Sequence, residues 1–149
     1  MEWINNSTKA DASFAGSMQL LAGVKACTGR HLTNHPHFED KWLRQRTKEI
    51  YQIYARKTPQ EVYEILKEIG ADYIILEDSI CLARSDGCRT PDLMDFENGH
   101  IPDSGQLMPS LIRSDTPRFC DEIRHMTTQY NRRFRSVLEN KTFRVYKVL

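Results

Sequence analysis

Apolar and polar positions near the start of the chain follow first a strand pattern and then a helix pattern. Residues 12–16 form a short apolar run that ends in a glycine. Apolar residues then recur at helical spacing, at Leu20, Leu21, Val24 and Cys27. We predict a strand, a tight turn and a helix that ends with a glycine C-cap at Gly29. Residues 31–33 can run as a further strand beside the first.

Two amphipathic segments follow this first unit. Over residues 38–57, apolar side chains such as Ile50 and Tyr54 share one face while charged side chains occupy the other, which predicts a helix of about five turns. Residues 58–61 read Thr-Pro-Gln-Glu, a capping box with proline at the first helical position. The apolar face that continues over residues 62–69 and the glycine after it predict a second helix with well-marked ends.

A buried strand and an irregular region come next. Residues 72–77 carry four consecutive apolar side chains, which favours a strand covered on both faces. Residues 78–116 are interrupted by glycine and proline, and we expect only a brief helical turn within them, at 92–96. Such a long irregular stretch in a small domain is usually functional, disulfide-tied or mobile. A further helix is expected to open over residues 117–125.

The end of the chain predicts a β-hairpin. Residues 134–138 and 142–149 are apolar-rich runs separated by Glu-Asn-Lys, and they would close the sheet. No internal repeat or dividing linker is visible. The predicted fold is therefore α/β: a small mixed sheet flanked by helices, with a long irregular insertion and a C-terminal hairpin, forming a single domain over residues 1–149.

Composition and charge narrow the class of protein. Of the 149 residues, 40% are hydrophobic and 28% are charged, and 21 basic residues against 20 acidic ones leave a net charge of +1. This balance excludes a disordered chain and a strongly basic nucleic-acid binder. No run approaches the roughly 20 apolar residues that cross a bilayer, and no signal peptide is expected at the start.

The four cysteines favour a disulfide over a zinc site. Only Cys81 and Cys88 lie close in sequence, and their spacing is too wide for a zinc knuckle. In an oxidising compartment we expect at least one disulfide among Cys81, Cys88 and Cys120, since these residues flank the irregular region. The connectivity stays open, and in the cytosol the same residues would be free thiols. Cys27 lies on a helix face and is expected to be a buried thiol.

Three N-glycosylation sequons, Asn-x-Ser/Thr, point in the same direction. They begin at Asn5, Asn6 and Asn140. Each pattern is common by chance, so the sequons support a secretory-pathway protein only modestly.

Two short segments carry candidate chemistry. His35 and His37 lie just before Glu39 and Asp40, a set that could serve as an acid/base pair or simply cap the next helix. No third ligand at defined spacing accompanies them, so no metal site is predicted. At residues 17–19 the first strand passes into a helix, a position where α/β sheets expose backbone N–H groups to ligands.

Other polar residues are weaker candidates. Neither a dinucleotide-binding nor a P-loop glycine pattern is present, which disfavours nucleotide binding. The basic pairs at residues 56–57 and 132–133 are expected to be solvated. Glu77 and Asp78 are better placed, at the end of the buried strand, although Asp78 is equally explained by a helix cap or a turn.

The chain also resembles a known family. The resemblance is carried in order along nearly the whole chain by FAGSMQLLAGVK at 14–25, CTGR at 27–30, NHPHFED at 34–40, YQIYA at 51–55, GADY at 70–73, LEDSIC at 76–81, GCR at 87–89, NGH at 98–100, RFC at 118–120 and NKTF at 140–143. These segments closely resemble the C-terminal luminal region of the protein C-mannosyltransferases, the Dumpy-like family of the GT-C class.

The resemblance implies an endoplasmic-reticulum membrane enzyme that transfers mannose from dolichyl-phosphate mannose to C2 of a tryptophan indole. Its acceptors are Trp-x-x-Trp segments of secreted and cell-surface proteins. The donor and the catalytic carboxylate belong to a multispanning N-terminal part, so the resemblance implies no catalytic residue, no bound cofactor and no nucleic-acid partner for these 149 residues. They are expected to lie on the luminal side and to position the acceptor. The alternative is a stand-alone luminal binding or scaffold module without activity.

We expect the acceptor-binding residues on one edge of the sheet. The set comprises Ser17, Met18, Gln19, His35 and His37. A more distant resemblance links the chain to the luminal domain of the oligosaccharyltransferase catalytic subunit. The Trp-Trp-Asp motif of that subunit would fall near residues 17–19 and is absent, so asparagine glycosylation by this chain is not expected.

Overall fold

The structure is a computed structural model, and it describes residues 1–33, 41–105 and 108–149, with only the backbone described at 41–44. The helices are α1 (Glu2–Ser7), α2 (Met18–Thr28), α3 (Lys41–Tyr51), α4 (Pro59–Glu68), α5 (Asp78–Cys81), α6 (Thr90–Glu97), α7 (Phe119–Glu122) and α8 (Thr128–Asn131). Short 3₁₀ turns follow α3 at Gln52–Tyr54 and α7 at Ile123–His125. The strands are β1 (Ser13–Ala15), β2 (His31–Leu32), β3 (Tyr73–Glu77), β4 (Phe134–Glu139) and β5 (Phe143–Val148).

The five strands form one mixed sheet in the order β2-β1-β3-β5-β4. β1 pairs in parallel with both β2 and β3, whereas β5 runs antiparallel to β3 and to β4. The predicted mixed sheet and C-terminal hairpin are confirmed. Because β1, β2 and β3 run the same way, their carboxyl ends meet at one edge, and the turn between β4 and β5 lies at that same edge.

Helices cover both faces of the sheet, as the apolar run in β3 predicts. Ile74 and Leu76 pack into the larger core with Ile50, Leu66 and Phe119, while Ile75 points to the other face. That second core contains residues of α1, α2 and β1. The central strand therefore needs apolar side chains at successive positions.

Local signals account for the ends of α2 and α4. Ser17 caps α2, which ends at Gly29 in the left-handed conformation with φ 68°. Thr58 and Glu61 form the predicted capping box of α4, with Pro59 in the first turn. These side chains satisfy N–H groups that a helix start leaves without partners.

Two helical predictions need correction, and two short helices were not predicted. The helix predicted over residues 38–57 ends earlier, at Tyr51, with a 3₁₀ turn behind it; residues 38–40 lie outside the described part of the chain. Ala55 is extended because its carbonyl accepts the N–H of Phe119 at 3.0 Å. The turn expected at 92–96 is the two-turn helix α6. The sequence patterns did not predict α1 or α8.

The cysteine prediction is confirmed in its main part. Cys81 and Cys120 form a disulfide with a Cα–Cα distance of 6.0 Å across 39 positions, and it closes the irregular region at its base. Cys88 is a free, exposed thiol. Cys27 is also free, but it is exposed, so the expectation of a buried thiol is wrong. Within the described ranges, no helix has both the length and the apolar content needed to cross a bilayer.

Candidate functional site

The carboxyl edge of the parallel strands begins at the corner between β1 and α2. Gly16 lies in this corner because β3 approaches closely: a Cβ at position 16 would lie 3.2 Å from the carbonyl oxygen of Ile75. Ser17 is buried, and its Oγ accepts the N–H of Leu20 at 3.4 Å. Met18 is half-buried and Gln19 is exposed. Only Met18 and Gln19 of these three predicted residues therefore offer side-chain surface to a ligand.

The backbone N–H groups at this corner are not open to a ligand in the way the sequence suggested. The N–H of Met18 donates to the Tyr51 hydroxyl at 3.1 Å. The N–H of Leu21 donates to the Ser17 carbonyl at 2.9 Å. The N–H groups of Met18, Leu20 and Leu21 are thus bonded within the fold, which leaves the side chains of Met18 and Gln19 as the main candidates for contact with a ligand.

Tyr51 and Tyr54 each accept a backbone N–H at or just after the end of one of two neighbouring strands, β1 and β3. Tyr51 accepts the N–H of Met18 after β1, and Tyr54 accepts the N–H of Glu77 at the end of β3, also at 3.1 Å. The two ring centroids lie 6.4 Å apart. Burial raises the pKa of Tyr54 far above its usual value, so its hydroxyl stays neutral. The predictions assigned no site role to either tyrosine, since two tyrosines at helical spacing also suit a plain core.

Glu77 and Asp78 have different surroundings although they are adjacent. Oε2 of Glu77 is shielded from solvent and has no hydrogen-bond partner among the described residues. Asp78 opens α5, its carboxylate pairs with Arg144 at 3.3 Å, and its N–H donates to the Thr142 carbonyl at 3.0 Å. Asp78 therefore joins β3 to the hairpin, which agrees with the structural interpretation of this residue.

An ion network, buried at Arg118 and Asp95, fixes the irregular region beside this edge. Arg118 binds Asp95 through two hydrogen bonds of 2.7 and 3.2 Å, and it reaches Asp103 at 3.2 Å. Arg56 pairs with Asp103 at 2.6 Å and donates to the Thr116 carbonyl, so the prediction of a merely solvated Arg56 is wrong. The sequence patterns did not predict this network, because its members come from four separate segments of the chain.

A buried carboxylate orders the loop that leads into α6. Asp92 is 1% exposed and accepts the backbone N–H groups of Asp86, Gly87 and Arg89 at 2.9–3.3 Å. Its other oxygen accepts the Ser85 hydroxyl. The region that looked irregular in sequence is therefore ordered by the Asp92 carboxylate near its start and by the ion network further along, inside the loop that the disulfide closes.

The predicted histidines cannot be placed, since His35 and His37 fall within residues 34–40, outside the described residues. The described chain before that segment ends at Thr33, at the carboxyl edge of β1 and β2 where these residues were expected. β2 lies beside β1, and Thr33 donates its N–H to the Phe14 carbonyl at 3.0 Å. The roles of His35 and His37 stay predictions. In the described parts of the chain, no group of three or more His, Cys, Asp or Glu side chains could hold a metal ion.

Comparisons with known proteins give one consistent result. The family described as "Dpy19: Q-cell neuroblast polarisation" matches residues 1–148. The chain is 40% identical over 151 residues to the mouse (Mus musculus) "Probable C-mannosyltransferase DPY19L4", a match covering 99% of this chain and 20% of that protein. It is 40% identical over 150 residues to the mouse "Protein C-mannosyl-transferase DPY19L1", covering 100% of this chain and 18% of that protein.

Two further comparisons extend this result. A nematode relative, the Caenorhabditis elegans "C-mannosyltransferase dpy-19", is 41% identical over 80 residues, 54% of this chain and 12% of that protein. The chain thus spans about a fifth or less of the length of these relatives. Among solved structures, the C-terminal globular domain of oligosaccharyltransferase from Archaeoglobus fulgidus matches with a TM-score of 0.63 at 8% identity, covering 99% of this chain and 93% of that domain. This likeness concerns the fold alone.

Proposed function

The chain belongs to the Dpy19 family, and from this membership we propose that it is the luminal domain of an endoplasmic-reticulum C-mannosyltransferase. The observation that carries the proposal is the match over residues 1–148 together with the short share of each relative that it covers. Under this proposal a membrane-embedded part of the same enzyme holds dolichyl-phosphate mannose. The 149 residues supply a surface for the acceptor protein and no catalytic residue.

The chemistry of the reaction explains why such a surface is useful. The bond between C1 of mannose and the lipid phosphate breaks, a carbon–carbon bond forms between that C1 and indole C2, and the indole C2 proton is lost. Indole is electron-rich but less nucleophilic at C2 than at C3, so holding C2 against the anomeric carbon favours transfer to that position. Holding a Trp-x-x-Trp segment in place converts a loose encounter into an aligned attack.

The carboxyl edge of β1 and β2 suits this role. Met18 is half-buried there and can contact an indole ring through its sulfur, and exposed Gln19 can hydrogen-bond to the acceptor backbone. We propose that Met18, Gln19, His35 and His37 form the acceptor contacts. Ser17 acts behind them by capping α2, since its side chain is buried.

A chimera tests this function. The matching segment of mouse DPY19L1 is replaced by this chain, and mannose transfer to a Trp-x-x-Trp peptide is measured. We expect activity in the chimera, and a higher KM or lower kcat when Met18, Gln19, His35 or His37 is changed to alanine. The control is Lys9→Ala, which lies at the opposite edge in a cleft of about 250 Å³ with Lys147 and should leave the kinetics unchanged.

The purified 149-residue chain supplies the second arm. We expect the NMR signals of the chain to shift when a Trp-x-x-Trp peptide is added. We expect no transfer of mannose from dolichyl-phosphate mannose by the isolated chain. Transfer by the isolated chain would contradict the proposal that the membrane-embedded part holds the donor and that these 149 residues supply no catalytic residue. Normal kinetics in all four alanine chimeras would show that this edge does not bind the acceptor. A membrane-inserted chimera without activity would favour the stand-alone binding module.

A further inference from the structure

The sequons at Asn6 and Asn140 differ in the contacts that the structure gives their hydroxyl groups. Asn5 and Asn6 lie on α1. The hydroxyl of Thr8, the third residue of the second sequon, donates to the Ile4 carbonyl at 2.6 Å and accepts from Arg30 at 3.1 Å. Thr8 is the C-cap of α1, with an extended backbone, and its hydroxyl is engaged by the Ile4 carbonyl and the Arg30 side chain.

The sequon at Asn140 has the opposite arrangement. Oδ1 of Asn140 accepts the N–H of Thr142 at 2.9 Å, the N–H of Phe143 at 2.8 Å and the Thr142 hydroxyl at 3.2 Å. This is an Asx turn, which brings the sequon hydroxyl against the amide group. Nδ2 of Asn140 has no hydrogen-bond partner within the described ranges, and Asn140, Lys141 and Thr142 are all exposed. A group attached to Nδ2 would leave every hydrogen bond of the turn intact.

Two ion pairs and one backbone hydrogen bond fix the position of the turn between β4 and β5. Arg144 pairs with Glu139 at 2.7 Å on the other strand and with Asp78 at 3.3 Å on the neighbouring element. The Thr142 carbonyl accepts the N–H of Asp78 at 3.0 Å. The base of the turn is therefore attached to both β3 and β4, while its tip projects from the sheet edge.

We propose that Asn140 carries an N-linked glycan. Nδ2 of Asn140 displaces the diphosphate of a lipid-linked oligosaccharide from C1 of its first sugar: the N–C1 bond forms, the C1–O bond breaks, one amide proton is lost and the lipid diphosphate leaves. The transfer is made by the cell's asparagine-glycosylating enzyme. This proposal rests on the luminal location proposed above, since lipid-linked oligosaccharide is used in that compartment.

A glycan at this position divides the carboxyl edge into two parts. Neighbouring strands lie about 4.8 Å apart, so β1 is two strand spacings, roughly 10 Å, from β5. The hairpin end must then remain open to the lumen in the whole protein. The end formed by β1 and β2, with Met18 and Gln19, is left for the acceptor and the membrane-embedded part.

The test expresses the 149-residue chain behind a secretory leader in mammalian cells. Enzymatic removal of glycans in heavy-oxygen water converts a glycosylated asparagine into labelled aspartate, and peptide mapping reads position 140 directly. We expect label at position 140 in the parent chain and in Thr142→Ser, which keeps the hydroxyl. Asn140→Gln and Thr142→Ala should lose the glycan there, and the matched control Lys141→Ala should keep it.

The outcomes separate this proposal from the proposed function. The leader sends the chain into the lumen whatever its natural location, and the Cys81–Cys120 disulfide reports that it has folded there. Unmodified Asn140 in a chain with that disulfide would overturn the glycan proposal and leave the acceptor proposal untouched. Retention of label at position 140 after Thr142→Ala would also overturn it, since the modification would then not follow the sequon.

Discussion

Two tyrosine hydroxyls show how single residues shape the candidate edge. Tyr51 accepts the N–H of Met18 at the start of α2, and Tyr54 accepts the N–H of Glu77 at the end of β3. A hydrogen bond of this kind contributes about 1 kcal/mol and leaves a costly unpaired N–H if it is removed. Tyr51 therefore positions Met18, one of the residues proposed to contact the acceptor, and Tyr54 fixes the end of β3.

At this scale we predict the effect of Tyr51→Phe. The change removes the acceptor of the Met18 N–H, so hydrogen exchange at Met18 should speed up and the free energy of unfolding should fall by about 1 kcal/mol. Exchange measured by NMR and urea unfolding check both effects. Tyr63→Phe is the matched control, because Tyr63 donates to the Leu149 carbonyl in an exposed bond far from the edge. Unchanged exchange at Met18 would contradict the positioning role of Tyr51.

At the scale of elements, secondary structure follows local signals where a cap is present. α4 has a capping box at its start, and Gly70 behind it adopts a φ of 75°. The region between α5 and α7 has such signals only around α6, with Pro91 in its first turn and Gly99 behind it. The rest of its order comes from the buried carboxylates of Asp92 and Asp95, although aspartate is usually found at the surface.

For α4 we predict that Thr58→Ala destabilises the domain by about 1 kcal/mol, since the N–H of Glu61 loses its side-chain acceptor. Thermal unfolding followed by circular dichroism measures the change. Thr58→Ser keeps the hydroxyl and should behave like the parent chain. Equal losses in the alanine and serine variants would show that the capping bond is not the cause.

At the scale of the whole molecule, a disulfide and a charged network attach the irregular region to the core. The disulfide joins Cys81 after β3 to Cys120 in α7. Closing a loop of about 40 residues stabilises the folded chain by roughly 4 kcal/mol in the loop-entropy account. Arg56, Asp95, Asp103 and Arg118 join the same segments through ion pairs.

This network predicts a dependence of stability on pH. Burial by itself raises the pKa of Asp103, but the hydrogen bond from Arg56 and the charge of Arg118 outweigh burial and hold the pKa below its usual value. Asp103 therefore stabilises the fold above the ordinary aspartate pKa of about 3.9, and the stabilisation is lost as the pH falls through the lower folded value.

The measurement compares melting temperatures of the parent chain and Asp103→Asn from pH 7 to pH 3. The variant should melt lower at neutral pH, and the difference should shrink below about pH 4. Asp115→Asn serves as the control, because Asp115 is exposed and has no ion pair within the part of the chain that the structure describes. A difference that stays constant down to pH 3 would contradict the role of the Asp103 charge.

The sequence by itself determined the elements whose signals are local, and its residue motifs carried the resemblance to the family. Helices α2 and α4, the buried strand β3 and the C-terminal hairpin follow from periodicity, caps and turn residues within a few positions of one another. Only the tertiary structure decided that Cys81 bonds Cys120 rather than Cys88, that Tyr51 meets Met18, and that Arg118 meets Asp95 and Asp103. These partners lie 15 to 39 positions apart, and their contact depends on how the helices pack on the sheet.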